Sequence, residues 1–142
     1  MDLIERIAVL ERAGLFAFVE AECLAQAALA LEEEEASAGR RLYCVGEPAD
    51  FLYLLCEGKV RLSLGGAELV VGPGECFGFE EVLSEGERAH SATAETPCRL
   101  LRLERGQARR LLEDDPGLAR GAIRELLKRQ AGGAPLHPSP AR

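Results

Sequence analysis

The sequence contains no tryptophan, a single methionine and only two histidines, His90 and His137, among 142 residues. A histidine-based metal site is therefore not expected, because it needs companion ligands that the chain does not offer at a recognisable spacing. Its five cysteines, Cys23, Cys44, Cys56, Cys76 and Cys98, include no CxxC pair. An odd, evenly scattered set inside apolar stretches fits reduced thiols serving as small core hydrophobes in a cytoplasmic protein, rather than a disulfide framework or a zinc site. No run reaches about 18 consecutive apolar residues, the length a membrane-spanning helix needs. The opening MDLIERIAVLERAG carries acids and arginines where a secretory leader requires an uninterrupted apolar stretch, so export is not expected either. Also missing are a G-x-S-x-G elbow, an H-E-x-x-H pair and a G-x-x-x-x-G-K-[ST] phosphate loop, and no enzymatic activity is expected. The neighbours His90 and Ser91 do not repair this, since successive strand residues point to opposite faces.

What is present is ordinary globular material: 47% hydrophobic and 29% charged residues with 15 glycines, enough for one domain with its own core. That domain is expected over residues 1–130, followed by a flexible tail over 131–142, where AGGAPLHPSPAR cannot continue a helix. The net charge of −7 is unevenly spread. Residues 1–98 carry 7 basic and 19 acidic side chains, while residues 99–142 carry 10 and 5. An acidic body of this kind argues against direct binding to DNA, which favours a basic face.

Three stretches follow one another along the chain. Leu3, Ile4, Ile7 and Leu10 recur at helical spacing, Gly14 interrupts, and an Ala-rich segment from about Glu20 to Leu31 predicts a second helix. From Glu32 to Leu103 short runs such as RRLYCVG, FLYLLCEG, KVRLSL, AELVVGPG and CRLLRLE alternate with turn residues every 8 to 12 positions, which predicts strands. Gly65-Gly66 reads as a two-residue hairpin turn of type I′, with positive φ at both positions. The acidic run Glu32–Glu35 reads as a solvated edge strand shielded by its charge, with cation binding or partner docking as the alternative. Helical spacing returns at Gln107, Ala108, Leu111 and Leu112, breaks at Asp114–Pro116, and resumes at Leu118, Ala122, Ile123, Leu126 and Leu127. This last helix is expected either to fold back on the domain or to form a homodimer contact.

The segment GRRLYCVGEPADFLYLLCEGKVRLSL, followed by VVGPGECFGFEEVLSEGERAHSATAETPCRLLRLE, resembles the cyclic nucleotide-binding domain of catabolite-activator-type regulators, protein kinase A regulatory subunits and gated channels. The resemblance runs from about Leu15 to Arg129. It rests on the spacing of Gly39, Gly46, Gly58, Gly74 and Gly78, on the phrase GEPADFLYLL, and on Phe77-Gly78 followed ten residues later by Arg88. It implies a mainly β fold, an antiparallel β-barrel or jelly roll with amino- and carboxy-terminal helices. It also implies a phosphate-binding cassette opened by Phe77 and Gly78, with a short helix over Glu80–Leu83 and with Arg88 on a cyclic phosphate. A guanidinium fork suits that task, being planar, permanently charged and able to bond two oxygens at once.

The candidate binding residues are accordingly Gly78, Phe79, Glu80, Glu81, Val82, Arg88, Ala89 and Ser91, with cyclic AMP or cyclic GMP as the implied ligand and no required cofactor. The family pattern F-G-E-L-A-L-L differs here, since Phe79 stands where a glutamate takes the ribose hydroxyl and Ala89 stands where a hydroxyl residue follows the arginine. Acids at 80, 81, 85 and 87 crowd the implied phosphate position, and Glu85 or Glu87 is an alternative partner for Arg88. Three functions remain open. They are a non-catalytic ligand sensor, a ligand-free interaction or dimerisation module, and a transcription regulator acting through a protein partner, since only a dozen residues beyond Gln130 leave no room for a helix-turn-helix.

Overall fold

The computed structural model describes residues 1–131, so the tail expected over 131–142 lies, beyond its first residue, outside the described residues. Two helices, α1 (Leu3–Arg12) and α2 (Ala21–Ala30), flank a 3-10 turn at Gly14–Phe16. Eight strands follow: β1 (Glu32–Ala36), β2 (Arg41–Tyr43), β3 (Phe51–Glu57), β4 (Val60–Leu64), β5 (Ala67–Val71), β6 (Cys76–Phe77), β7 (Ser91–Ala94) and β8 (Cys98–Glu104). A short helix, α3 (Phe79–Leu83), sits between β6 and β7, and α4 (Arg105–Asp114) and α5 (Gly117–Ala131) close the described chain.

The strands form two antiparallel sheets, ordered β1-β8-β3-β6 and β2-β7-β4-β5. This corrects the expected closed barrel or jelly roll. The hydrogen-bonded ladders stay separate, because the chain passes from the second sheet to the first through the turn at Gly72–Glu75, and β6, only two residues long, pairs with β3 alone. The expectation of a mainly β fold also fails. Helical residues outnumber strand residues, giving a mixed fold of two open sheets and a helical layer.

The first sheet is buried on both faces, which is why FLYLL reads as a continuous apolar run rather than an alternating one. Leu52, Leu54, Leu101 and Leu103 point to the helical layer, where they meet Leu10, Phe16, Leu24, Leu111 and Leu118. Tyr53, Leu55 and Leu100 point the other way, toward Tyr43, Val60, Leu62 and Ala92 of the second sheet. Asp115, in the break between α4 and α5, is buried, accepting from Gly117 N and Glu20 N at 2.8 Å each. One carboxylate thus satisfies backbone donors at the start of both α5 and α2. The final helix divides its apolar residues: Leu118 and Ala122 are buried, while Ile123 and Leu127 are exposed.

Two further expectations change in detail. Gly65 has φ +59° but Gly66 has no positive φ, so the β4–β5 hairpin is not type I′. Cys76 and Cys98 are buried, whereas Cys23, Cys44 and Cys56 are only half-buried, so the core role expected of all five applies fully to two.

The acidic run is indeed the edge strand β1, but Glu32, Glu33 and Glu34 are ion-paired rather than merely solvated. Arg102 bonds Glu34 at 2.8 Å and Glu32 at 3.0 Å, Arg40 bonds Glu34 at 2.7 Å, and the amino terminus bonds Glu33 at 2.9 Å. Arg102 also stacks 4.0 Å from the Phe51 ring centre. Because this side chain is part-exposed, Arg102→Ala is expected to cost only about 1–2 kcal/mol, with the loss shrinking at high salt; urea unfolding at two ionic strengths measures both.

Candidate functional site

Pairing of Tyr53 with Phe77 and of Leu54 with Cys76 carries the chain along β6 into Gly78, whose φ of +71° turns it into α3. On a helix of this pitch Phe79 and Val82 share one face, and both are buried in the helical-layer core. Glu81 faces the opposite way, into the molecule beside the second sheet. The chain then returns through Glu85 to Arg88, whose amide donates to Glu47 O and whose carbonyl accepts from Gly46 N, both at 2.8 Å. These backbone bonds fix the Arg88 side chain in the interior.

Arg88 is 3% exposed. Its Nη1 donates to Gly78 O at 2.7 Å and to Glu81 Oε1 at 3.1 Å, and Nη2 donates to Phe51 O. The guanidinium carbon lies 3.9 Å from the centre of the Tyr43 ring, whose hydroxyl is 3.1 Å from His90 Nε2. Tyr43, Tyr53 and Phe77 fill the space between the sheets beside it, with the last two rings stacked at 5.2 Å. A Cβ on residue 78 would stand 2.8 Å from Arg88 Nη1, so the close approach of backbone to guanidinium needs glycine there. Arg88 therefore pairs with Glu81, not with Glu85 or Glu87; Glu85 pairs with Arg109 instead.

The electrostatics follow from burial. Desolvation pushes the Glu81 carboxyl above its ordinary pKa, the Glu80 charge pushes it the same way, and Arg88 pulls it back. Burial also raises the Tyr43 hydroxyl far above the usual phenol range, keeping it a neutral donor or acceptor for His90.

The remaining predicted residues disperse. Glu80 turns toward α5, where Arg129 Nη1 is 3.6 Å from its Oε2. Arg129 also donates to Cys76 O and lies 5.1 Å from the centre of the Phe79 ring, so the end of α5 rests on the cassette. Ala89 is half-buried, and Ser91 Oγ accepts from Val45 N at 3.0 Å, holding the β2–β3 loop rather than aiming at Arg88. Tyr43 and Arg129 were not anticipated. No local sequence signal points to Arg129, 41 positions from Arg88, whereas the apolar face shared by Phe79 and Val82 already implies that Glu81 points away from it. Glu80, Glu81 and His90 bring three ligand-type atoms within 4.8 Å of one another. Arg88 and Arg129 already supply the positive charge there, so the cluster is not assigned to a cation. Among the described residues no helix is long and apolar enough to cross a membrane.

Residues 33–115 match the cyclic nucleotide-binding domain family. The chain is 29% identical over 127 residues to a CRP-like cAMP-activated global transcriptional regulator of Mycobacterium tuberculosis, covering 85% of this chain and 57% of that protein. It is 40% identical over 103 residues to the cyclic AMP receptor protein of Thermus thermophilus, covering 63% of this chain and 48% of that one. The regulatory domain of Toxoplasma gondii PKA, solved with cAMP, superposes with a TM-score of 0.73 at 27% identity, covering 79% of this chain and 45% of the other. The chain thus spans about half the length of the relatives it matches. With a matched segment that runs from β1 through α3 and Arg88 to α4, the chain belongs to the cyclic nucleotide-binding domain family.

Proposed function

We propose that the protein is a sensing module in which a cyclic nucleotide or related small anion engages Arg88 and the change is read out through α5. The single observation that carries this reading is the buried Arg88 guanidinium, paired with Glu81 of the short helix α3, whose preceding acid, Glu80, is paired with Arg129 of α5. A ligand that alters α3 differently in two positions of α5 shifts the balance between them, which is the thermodynamic requirement for a signal. The relatives named for cyclic AMP support a nucleotide as the first candidate. The absence of a carboxylate at position 79, and the use of Ser91 Oγ by Val45, predict weaker binding than a full set of contacts gives, by about 1–3 kcal/mol for each missing buried bond.

A second reading, a ligand-free interaction module, is favoured by one observation: Arg88 already has a charge partner inside the protein. In that case the exposed Ile123 and Leu127 of α5 are the surface offered to a second copy or another protein. The two readings separate in a calorimetric titration of nucleotide-stripped protein with cyclic AMP and cyclic GMP. Saturable binding that disappears in both Arg88→Ala and a Glu81→Gln/Arg88→Met double variant is the expected result. No heat at two temperatures, at concentrations able to detect about 100 μM affinity, overturns nucleotide sensing and leaves the interaction module.

A further inference from the structure

A buried arginine whose task is to hold an anion has to be neutralised when that anion is away, and here the neutralising group is visible. Glu81 Oε1 stands 3.1 Å from Arg88 Nη1, with both side chains almost wholly buried at 7% and 2% exposure. The other hydrogen bonds of the guanidinium go to neutral carbonyls, Gly78 O and Phe51 O, and its face lies on Tyr43. Its Nε is buried with no hydrogen-bond partner among the described residues. Among the described residues the only negative charge bonded to Arg88 is thus Glu81.

We infer that Glu81 is the specificity-determining residue of the cassette, a built-in occupant that any incoming anion must displace from Arg88, so that the site accepts singly charged anions and rejects doubly charged ones. This rests on reading Arg88 as the anion-binding group. Exchange of one single negative charge for another leaves the site's charge balance as it is, whereas a dianion adds a negative charge beside Glu80, itself within reach of Glu81. Displacement is cheapest if Glu81 takes up a proton as it leaves. The groups facing it are Glu80 on its own helix, Arg88 from the returning loop, His90 at the start of β7 and Tyr43 from β2, with Arg129 of α5 behind Glu80. Burial and the Glu80 charge already favour the protonated carboxyl. Anion uptake is therefore expected to strengthen as pH falls from neutrality, because a proton bound on Glu81 removes the competitor.

Chemical rescue tests the assignment without requiring that the natural ligand be known. In Glu81→Ala the buried guanidinium loses its counter-ion, and the thermal midpoint falls. Formate at about 50 mM is expected to raise the midpoint of this variant by at least about 3 °C more than that of wild type, through mass action on the vacated position. Sulfate is expected to do less than formate, and the Glu81→Gln/Arg88→Met variant to show no rescue. Should Glu81→Ala fail to fold, Glu81→Ser, which removes the carboxylate and leaves its position beside Arg88 open, carries the same measurement. An equal formate response in wild type and variant, a rescue that survives loss of Arg88, or a stronger rescue by sulfate overturns the inference. The outcome is separable from that of nucleotide sensing. Rescue with no cyclic-nucleotide binding to wild type sustains Glu81 and sinks the nucleotide, while Arg88-dependent nucleotide binding that is not at least about ten-fold tighter in Glu81→Gln sinks Glu81 alone.

Discussion

Arg88→Ala is expected to lower the unfolding free energy by about 3–5 kcal/mol, more than any other charge deletion in the molecule, because it strands the Glu81 carboxylate in the interior. Removing both charges together, as Glu81→Gln/Arg88→Met, is expected to recover most of that loss, since a buried ion pair contributes little net stability beyond the cost of breaking it one-sidedly. The single variant should also acquire a steep pH dependence. In wild type the Glu81 carboxyl is already raised above its ordinary value, and without Arg88 it rises further. Between the ordinary carboxyl range and this raised value the folded state holds a proton that the unfolded chain has released, so stability falls as pH rises through the window. The deficit of Arg88→Ala is therefore smallest at the acid end and largest near neutrality. Urea unfolding of the three proteins at about pH 5 and about pH 7.5 checks the sign, and a deficit that is unchanged between the two contradicts the assigned burial of Glu81.

The second large effect is expected from Gly121→Ala. A Cβ there would stand 2.0 Å from Leu15 O, and one at Gly117 would stand 1.9 Å from Phe18 O. Both obstacles are backbone, so neither can swing aside as a side chain would. The first half of α5 lies directly on the 3-10 turn, and an added methyl must lift the helix away, at an expected cost of about 3 kcal/mol or more. Lifting α5 also pulls Arg129 from Glu80 and Cys76 O, so amide exchange should quicken in α3 as well as in α5. Gly86→Ala is the control, with its nearest neighbour the Ser84 hydroxyl at 3.6 Å and an expected change within about 0.5 kcal/mol. Equal effects at 86 and 121 would mean that α5 does not pack as described.

The sequence was informative where a residue's surroundings are set by its neighbours in the chain. The helices before Glu32, the strand runs and the break at Asp114–Pro116 all lie where apolar spacing and turn residues place them. Closure of the sheets was not legible, because it depends on whether distant edges meet, and short strands such as β6 look the same in an open and a closed arrangement. The segment that resembles a cassette was legible as a stretch of chain and illegible as a set of contacts. Phe77, Gly78 and Arg88 carry the resemblance, yet Phe79 proves to be helical-layer core, Glu80 turns to α5, Glu81 takes Arg88, and Ser91 holds a loop. The acidic run illustrates the same limit. Four successive glutamates look repulsive until β8 and α1 bring Arg102, Arg99 and the amino terminus alongside.

The two backbone bonds of Asp115 reach far beyond capping. Its carboxylate binds Glu20 N across 95 positions of chain as well as Gly117 N beside it, and β1 finds its hydrogen-bonding partner only in β8, with Glu32 opposite Arg102. The start of α2 and the whole of β1 therefore find these partners only once residues 98–115 are in place. Local pairings such as the β4–β5 hairpin can form first, whereas the amino-terminal elements are expected to dock late, and these long-range contacts are expected to slow folding relative to folds built from local contacts.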